Sequence, residues 1–209
     1  RIPGDPPPAP ASLDDEPGAG EADPPVPCAL DLMCGPNAPL SRALEWCGWD
    51  TETYDWLIDR EHNLLDADLQ TEIEGKVEHI DALLWAMDCN TLSRARERVI
   101  PGERHPPPRL RSEDQCQGLP YLHERGNEDL LERVLKANTL VRFSAHTLDK
   151  AIRLGIATLS ENPRNSYYWM FKEIDALCNL PEVDDFEYMG CSLGGARAKK
   201  QRIRSNVKE

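Results

Sequence analysis

Residues 80–87 read Ile-Asp-Ala-Leu-Leu-Trp-Ala-Met, a nearly unbroken apolar run with a single charge. A run this short fits a central parallel strand covered on both faces. Such a strand needs helices on either side of its sheet and crossover connections between neighbours, and the rest of the chain has the pattern for them. Residues 28–35 (CALDLMCG) read as a short buried strand ending in a turn. Residues 39–46 have helical spacing, with Leu40, Ala43 and Leu44 on one face and Pro39 near the start. Residues 51–58 alternate as a strand and residues 67–76 form a short helix. The strongest helix spans 128–154, with an apolar stripe that includes Leu131, Val134, Leu135, Val141 and Leu148, and Gly155 as its stop. Residues 156–161 (IATLSE) are another buried strand, and 168–180 a further helix. Residues 185–191 and 199–206 are two strands joined by Gly194-Gly195, an antiparallel hairpin. The expected fold is α/β: a doubly wound, mostly parallel, Rossmann-like sheet with a C-terminal antiparallel hairpin. Ligands of such sheets bind beyond the carboxyl ends of the strands, where strand order reverses.

The 209 residues suffice for one domain. Residues 1–27 are rich in Pro, Gly, Ala, Asp and Glu and are expected to be a disordered or extended linker, leaving 28–209 as the domain. The start has no basic segment followed by an apolar run, so no secretory signal is read there, and no stretch approaches the roughly 18 apolar residues of a membrane span. The seven cysteines include no CxxC pair. They suit neither a disulfide framework nor a structural zinc site, so no metal is expected and the natural compartment is reducing: intracellular, nuclear or cytoplasmic. The net charge of -13 argues against non-specific nucleic-acid binding by the whole chain. The charge is uneven, however. Residues 94–111 are rich in arginine, and Arg197, Lys199, Lys200, Arg202, Arg204 and Lys208 make the last stretch basic.

Five segments carry possible chemistry. The first is Leu30-Asp31-Leu32-Met33-Cys34-Gly35, a turn after the first strand that lets backbone approach a ligand ahead of a helix N-terminus. The second is Asp55, at the end of the second strand, where a carboxylate can accept ribose hydroxyls, with Trp56 beside it to cover an adenine. His62-Asn63-Leu64-Leu65-Asp66 follows. The third runs from Asp81 through Cys89 to Ser93, the fourth is Ser160-Glu161-Asn162-Pro163 after the later buried strand, and the fifth is Lys199-Lys200-Gln201-Arg202-Ile203-Arg204.

In this order the segments resemble the motifs of cytosine-C5 DNA methyltransferases, a branch of the S-adenosylmethionine (SAM) dependent methyltransferases. Residues 30–35 resemble DLF-x-G-x-G-G, with Met33 for the aromatic residue. Residues 81–93 resemble D-x-x-x-x-G-P-P-C-x-x-F-S, with Asp81, Cys89 and Ser93 in register and Met87-Asp88 in place of the two prolines. Glu161-Asn162 is similar to E-N-V, and Arg202 and Arg204 to the arginines of Q-x-R-x-R. The resemblance implies that SAM is the cofactor, held by Asp31, Leu32, Met33, Gly35, Asp55, Trp56 and Asn63 or Asp66. It implies that Cys89 attacks C6 of a flipped-out cytosine, that Glu161 holds N3, and that Arg202 and Arg204 brace the site. The implied partner is nucleic acid, DNA ahead of RNA. Asp88 beside the sulfur is expected to disfavour the thiolate. A closer resemblance is to a compact module found within larger, often transposon-like proteins, with PPPxLRSxxxxxGLP and ENPxxSxxW. Here these read from Pro106 through Ser112 to Pro120, and from Glu161 to Trp169. Two other readings stay open: a silent module of the same fold that binds a partner or nucleic acid, and methyl transfer that does not use Cys89.

Overall fold

The computed structural model describes residues 24–99, 101–193 and 199–208. Most of the expected linker and the Gly194-Gly195 turn lie outside these residues. Six strands form one sheet: β1 (Cys28–Leu32), β2 (Asp50–Tyr54), β3 (Ala82–Ala86), β4 (Ala157–Pro163), β5 (Asp184–Met189) and β6 (Lys200–Ser205), in the order β2-β1-β3-β4-β6-β5. Strands β1 to β4 pair in parallel, and β6 runs antiparallel to both β4 and β5. The architecture is α/β with a mixed sheet, compatible with a Rossmann-like fold.

Strand alternation sets the two faces. Leu30 and Leu32 of β1 and Leu83 and Trp85 of β3 join the core under α3 (Glu128–Arg153) and α2 (Ala67–Lys76). The Trp85 indole donates to Thr147 Oγ1 of α3 at 3.0 Å and meets Phe143 edge-on. Asp31 points to the opposite face, where it accepts from Ser41 of α1 (Pro39–Trp46). Helices therefore cover both faces, and strand order reverses between β1 and β3, which opens a crevice at their carboxyl ends.

Several expectations need correcting. The apolar stripe of α1 does not face the core: Leu40 and Ala43 are exposed and Ser41 is buried, because the helix is seated by the Ser41–Asp31 hydrogen bond. The second strand ends at Tyr54, where Asp55 turns the chain by accepting from the Leu57 and Ile58 amides. The helix expected over 168–180 is broken into a 3-10 turn (Tyr167–Met170), α4 (Lys172–Ala176) and a second 3-10 turn (Leu177–Asn179). Extended backbone at Phe171 makes the break, and its ring is fully buried. Residues 94–125, which hold five prolines and suggest a long loop, have order of their own. Two 3-10 turns, Arg94–Glu97 and Pro120–His123, and a small cluster of Leu110, Leu122 and Val134 fix them on α3. Gly118 is required there, because a Cβ would meet Val134 at 3.0 Å and the backbone has φ +132.

Candidate active site at the carboxyl edge of the sheet

The turn after β1 is built from unusual backbone. Met33 (φ 60) and Ala38 (φ 37) take left-handed conformations that ordinarily suit glycine, as does Gly35 (φ 75). The Gly35 amide donates to Asp55 Oδ2 at 2.8 Å and the Leu57 amide to Asp55 Oδ1 at 2.7 Å, so one carboxylate ties the turn after β1 to the turn after β2. Leu32 is fully buried. Asp31 is buried, and burial pushes its carboxyl up while the Ser41 hydroxyl draws it back. Burial, with Asp31 and Asp55 nearby, pushes the Cys34 thiol up to about 12, which makes it a poor nucleophile.

Beside this turn lies a cleft of about 300 Å³, lined among others by Met33, Asp55, Trp56, His62, Asn63 and Leu140. It joins residues that follow β1 and β2 with Lys136 and Leu140 of α3. The Trp56 ring is 48% exposed and carries the Arg60 guanidinium over it at 4.2 Å. Of the two polar residues left open by the sequence, Asp66 caps α2 by accepting from the Asp68 and Leu69 amides, and Asn63 lines the cleft. His62 Nδ1 is buried there without a hydrogen-bond partner.

Cys89 follows β3, and the loop that carries it is held from several sides. Asn162 Nδ2 donates to the Met87 carbonyl at 2.8 Å. The Asn90 amide donates to Asp88 Oδ1 at 2.9 Å and the Ser93 amide to the Cys89 carbonyl at 2.7 Å. The Tyr167 amide and the Ser166 hydroxyl both donate to the Leu92 carbonyl. Arg111 is fully buried and donates to Thr91 O, Thr91 Oγ1, Cys116 O, Asn138 Oδ1 and Val134 O, with no carboxylate among these partners. Burial without an acid pushes its guanidinium down to about 10. Asp81 sits at the far end of β3, accepting from the Cys28 amide.

Glu161 lies beside the Cys89 loop, paired in register with Ala86 and Ile203. Its Oε1 is buried without a hydrogen-bond partner, and so is the Gln201 side-chain oxygen, one pair further along the same face. Burial pushes the Glu161 carboxyl up, and Lys199 opposes the shift. Burial also pushes the Cys89 thiol up, with Lys199 opposing and Asp88 and Glu161 adding to the rise. Cys89, Glu161 and Lys199 thus form one electrostatic cluster.

Arg202 and Arg204 are placed elsewhere. They pair in register with Asn162 and Ser160, so they share the sheet face opposite to Glu161. Arg204 is bidentate to Asp185 at 2.7 and 2.9 Å, Arg202 reaches Asp185 and Glu187, and both lie over the Trp169 ring. They brace the β5–β6 pair rather than the Glu161 side. Ser93 caps the 3-10 turn that begins at Arg94. Sequence reasoning did not single out His62, Arg111 or Lys199 as site residues. Arg111 had a signal, since it lies in the quoted PPPRLRS.

In comparisons with known proteins, no family model and no curated protein matches the chain. No helix among the described residues is long and apolar enough to cross a membrane.

Proposed function

We propose that the chain is a SAM-dependent methyltransferase-like domain acting on cytosine C5 in nucleic acid, with DNA the first substrate to test. One observation carries the reading. Glu161, a carboxylate with one oxygen buried and without a hydrogen-bond partner, adjoins the loop of the partly buried Cys89 at the carboxyl edge, on the same sheet edge as the cleft next to Met33, Asp55 and Trp56. The reversed strand between β4 and β5 adds support, because that layout is the one expected of the SAM-methyltransferase fold.

The cleft residues fit the cofactor. An aromatic face at Trp56, an amide at Asn63 and an orphaned ring nitrogen at His62 suit a nucleoside, and the cleft is at the lower bound for small-molecule sites. SAM, when bound, supplies an electrophilic methyl group. Cys89 would add through sulfur to C6 of the pyrimidine. Glu161, whose environment favours the protonated acid, would give its proton to N3 as charge develops there, leaving C5 nucleophilic. Lys199 would hold part of the thiolate's charge as Cys89 ionises.

A second reading, a module that binds without transferring methyl, is favoured by the raised Cys89 thiol beside Asp88. Calorimetric titration with SAM and S-adenosylhomocysteine, followed by a methyl-transfer assay on cytosine-containing DNA, decides between them. Binding of both ligands with transfer is expected. Binding without transfer gives the silent module, and absence of binding by the folded chain removes the cofactor from the account.

A further inference from the structure

The arginines of the loop after Cys89 do not share one environment. Arg94 faces Glu113 at 2.6 Å and Arg109 faces Glu97 at 3.2 Å. Arg111 is consumed by its five acceptors. Arg96 differs in its charged neighbour, which is Arg133 of α3 and not an acid; its Nε, like that of Arg94, is buried without a hydrogen-bond partner. Neither Arg96 nor Arg133 forms a salt bridge among the described residues. Burial and the Arg133 charge both push the Arg96 guanidinium down, with Tyr121 opposing. Arg133 Nη2 reaches Asn90 Oδ1 at 3.4 Å, and Asn90 is the residue after Cys89.

Two guanidiniums within electrostatic reach of each other repel, and an anion between them removes the repulsion. Neither arginine has a carboxylate partner, since Glu97 pairs with Arg109, Glu113 with Arg94 and Glu132 with Lys136. Both are therefore open to an anion from outside. A guanidinium fork matches phosphate oxygens, and the pair adjoins the loop that would attack a base. We propose that Arg96 and Arg133 bind a backbone phosphodiester of the nucleic acid whose base is delivered to Cys89. This rests on the nucleic-acid reading above and adds the contact that holds the strand.

The test is fluorescence anisotropy with a labelled single-stranded oligodeoxynucleotide across a salt series, without SAM and in a Cys89→Ala background. Failure of methyl transfer or of SAM binding therefore leaves the readout untouched. Arg96→Gln and Arg133→Gln should each weaken binding at low salt by roughly tenfold, the scale of one hydrogen bond to a charged group. The double variant should flatten the plot of log affinity against log salt by about 0.7, as for one phosphate lost on a single strand. Arg153→Gln makes the same charge change at the far end of α3, in a residue paired to Asp149, and should change nothing. Arg96→Gln should also keep or raise the thermal midpoint, since it removes a like-charge contact. Should a glutamine variant misfold, Arg96→Lys with Arg133→Lys keeps the charge and should keep the slope while losing affinity. No oligonucleotide binding by the Cys89→Ala chain, an unaltered slope in the double variant, or an equal loss in Arg153→Gln would overturn the proposal. So would calorimetric binding of inorganic phosphate that needs both arginines when oligonucleotide binding does not, because the pair would then serve a free anion.

Discussion

The side-chain amide of Asn162 donates to the main-chain carbonyl of Met87 at 2.8 Å, which ties the strand carrying Glu161 to the loop carrying Cys89. Asn162 is fully buried, so the bond has no competing water. The candidate nucleophile and the candidate acid are thereby held at a fixed separation, a requirement for both to act on one base.

Asn162→Ala removes that tie and strands a buried carbonyl. The expected loss of stability is about 1–3 kcal/mol, the cost of an unsatisfied buried acceptor. Urea unfolding measures it. Methyl transfer should fall further than SAM affinity, because the cleft near Met33 and Trp56 is built by other residues.

Glu161 gives the chain a pH signature. Its folded-state pKa lies above the ordinary value near 4.5, so the folded protein holds the proton more tightly than the unfolded chain. Stability from this group is present at low pH and is lost as pH rises through the folded value. Asp31, also raised by burial, acts in the same direction. Glu161→Gln should raise the thermal midpoint at neutral pH, flatten its fall above pH 4.5 and abolish methyl transfer. A midpoint lowered at neutral pH would mean that the carboxylate has a stabilising partner.

The left-handed Ala38 at the start of α1 stores strain that a glycine would not. Ala38→Gly should stabilise the fold by about 1 kcal/mol, the order of the cost of this conformation for a residue with a Cβ. Differential scanning calorimetry reads the change as a higher midpoint.

Asp55 and Asn63 both line the cleft, yet they should respond differently. Asp55→Ala leaves the Gly35 and Leu57 amides without their acceptor and should cost about 1–3 kcal/mol of stability as well as SAM affinity. Asn63→Ala should lower SAM affinity with little loss of stability, since among the described residues its side chain makes one hydrogen bond, accepted from the nearby Leu65 amide at 3.2 Å. Parallel thermal melts and SAM titrations separate the two effects.

Much of the fold was legible because it rests on local pattern. Pro39 marks the start of α1, Asp66 caps α2, and the IDALLWAM run marks the central strand. Cys89, Glu161, Asp55 and Met33 could be picked out because each follows a strand or lies near its end. What was not legible depends on distance or register. The seat of α1 is a polar pair between residues on different elements, Ser41 and Asp31, so hydrophobic spacing pointed to the wrong face. That Arg202 and Arg204 face away from Glu161 follows from the pairing of β6 with β4, which neither strand shows alone. Lys199, Arg111 and the influence of Arg133 on Arg96 join segments far apart in the chain.

The most direct test of the central claim is intact-mass spectrometry of the chain incubated with SAM and an oligodeoxynucleotide containing 5-fluorocytosine. The fluorine stands where a proton must leave, so a cysteine that has added to C6 stays attached. The account predicts a covalent protein–DNA adduct carrying one transferred methyl group, mapped to Cys89 and absent from Cys89→Ala. Methyl transfer to ordinary cytosine that survives Cys89→Ala would contradict it.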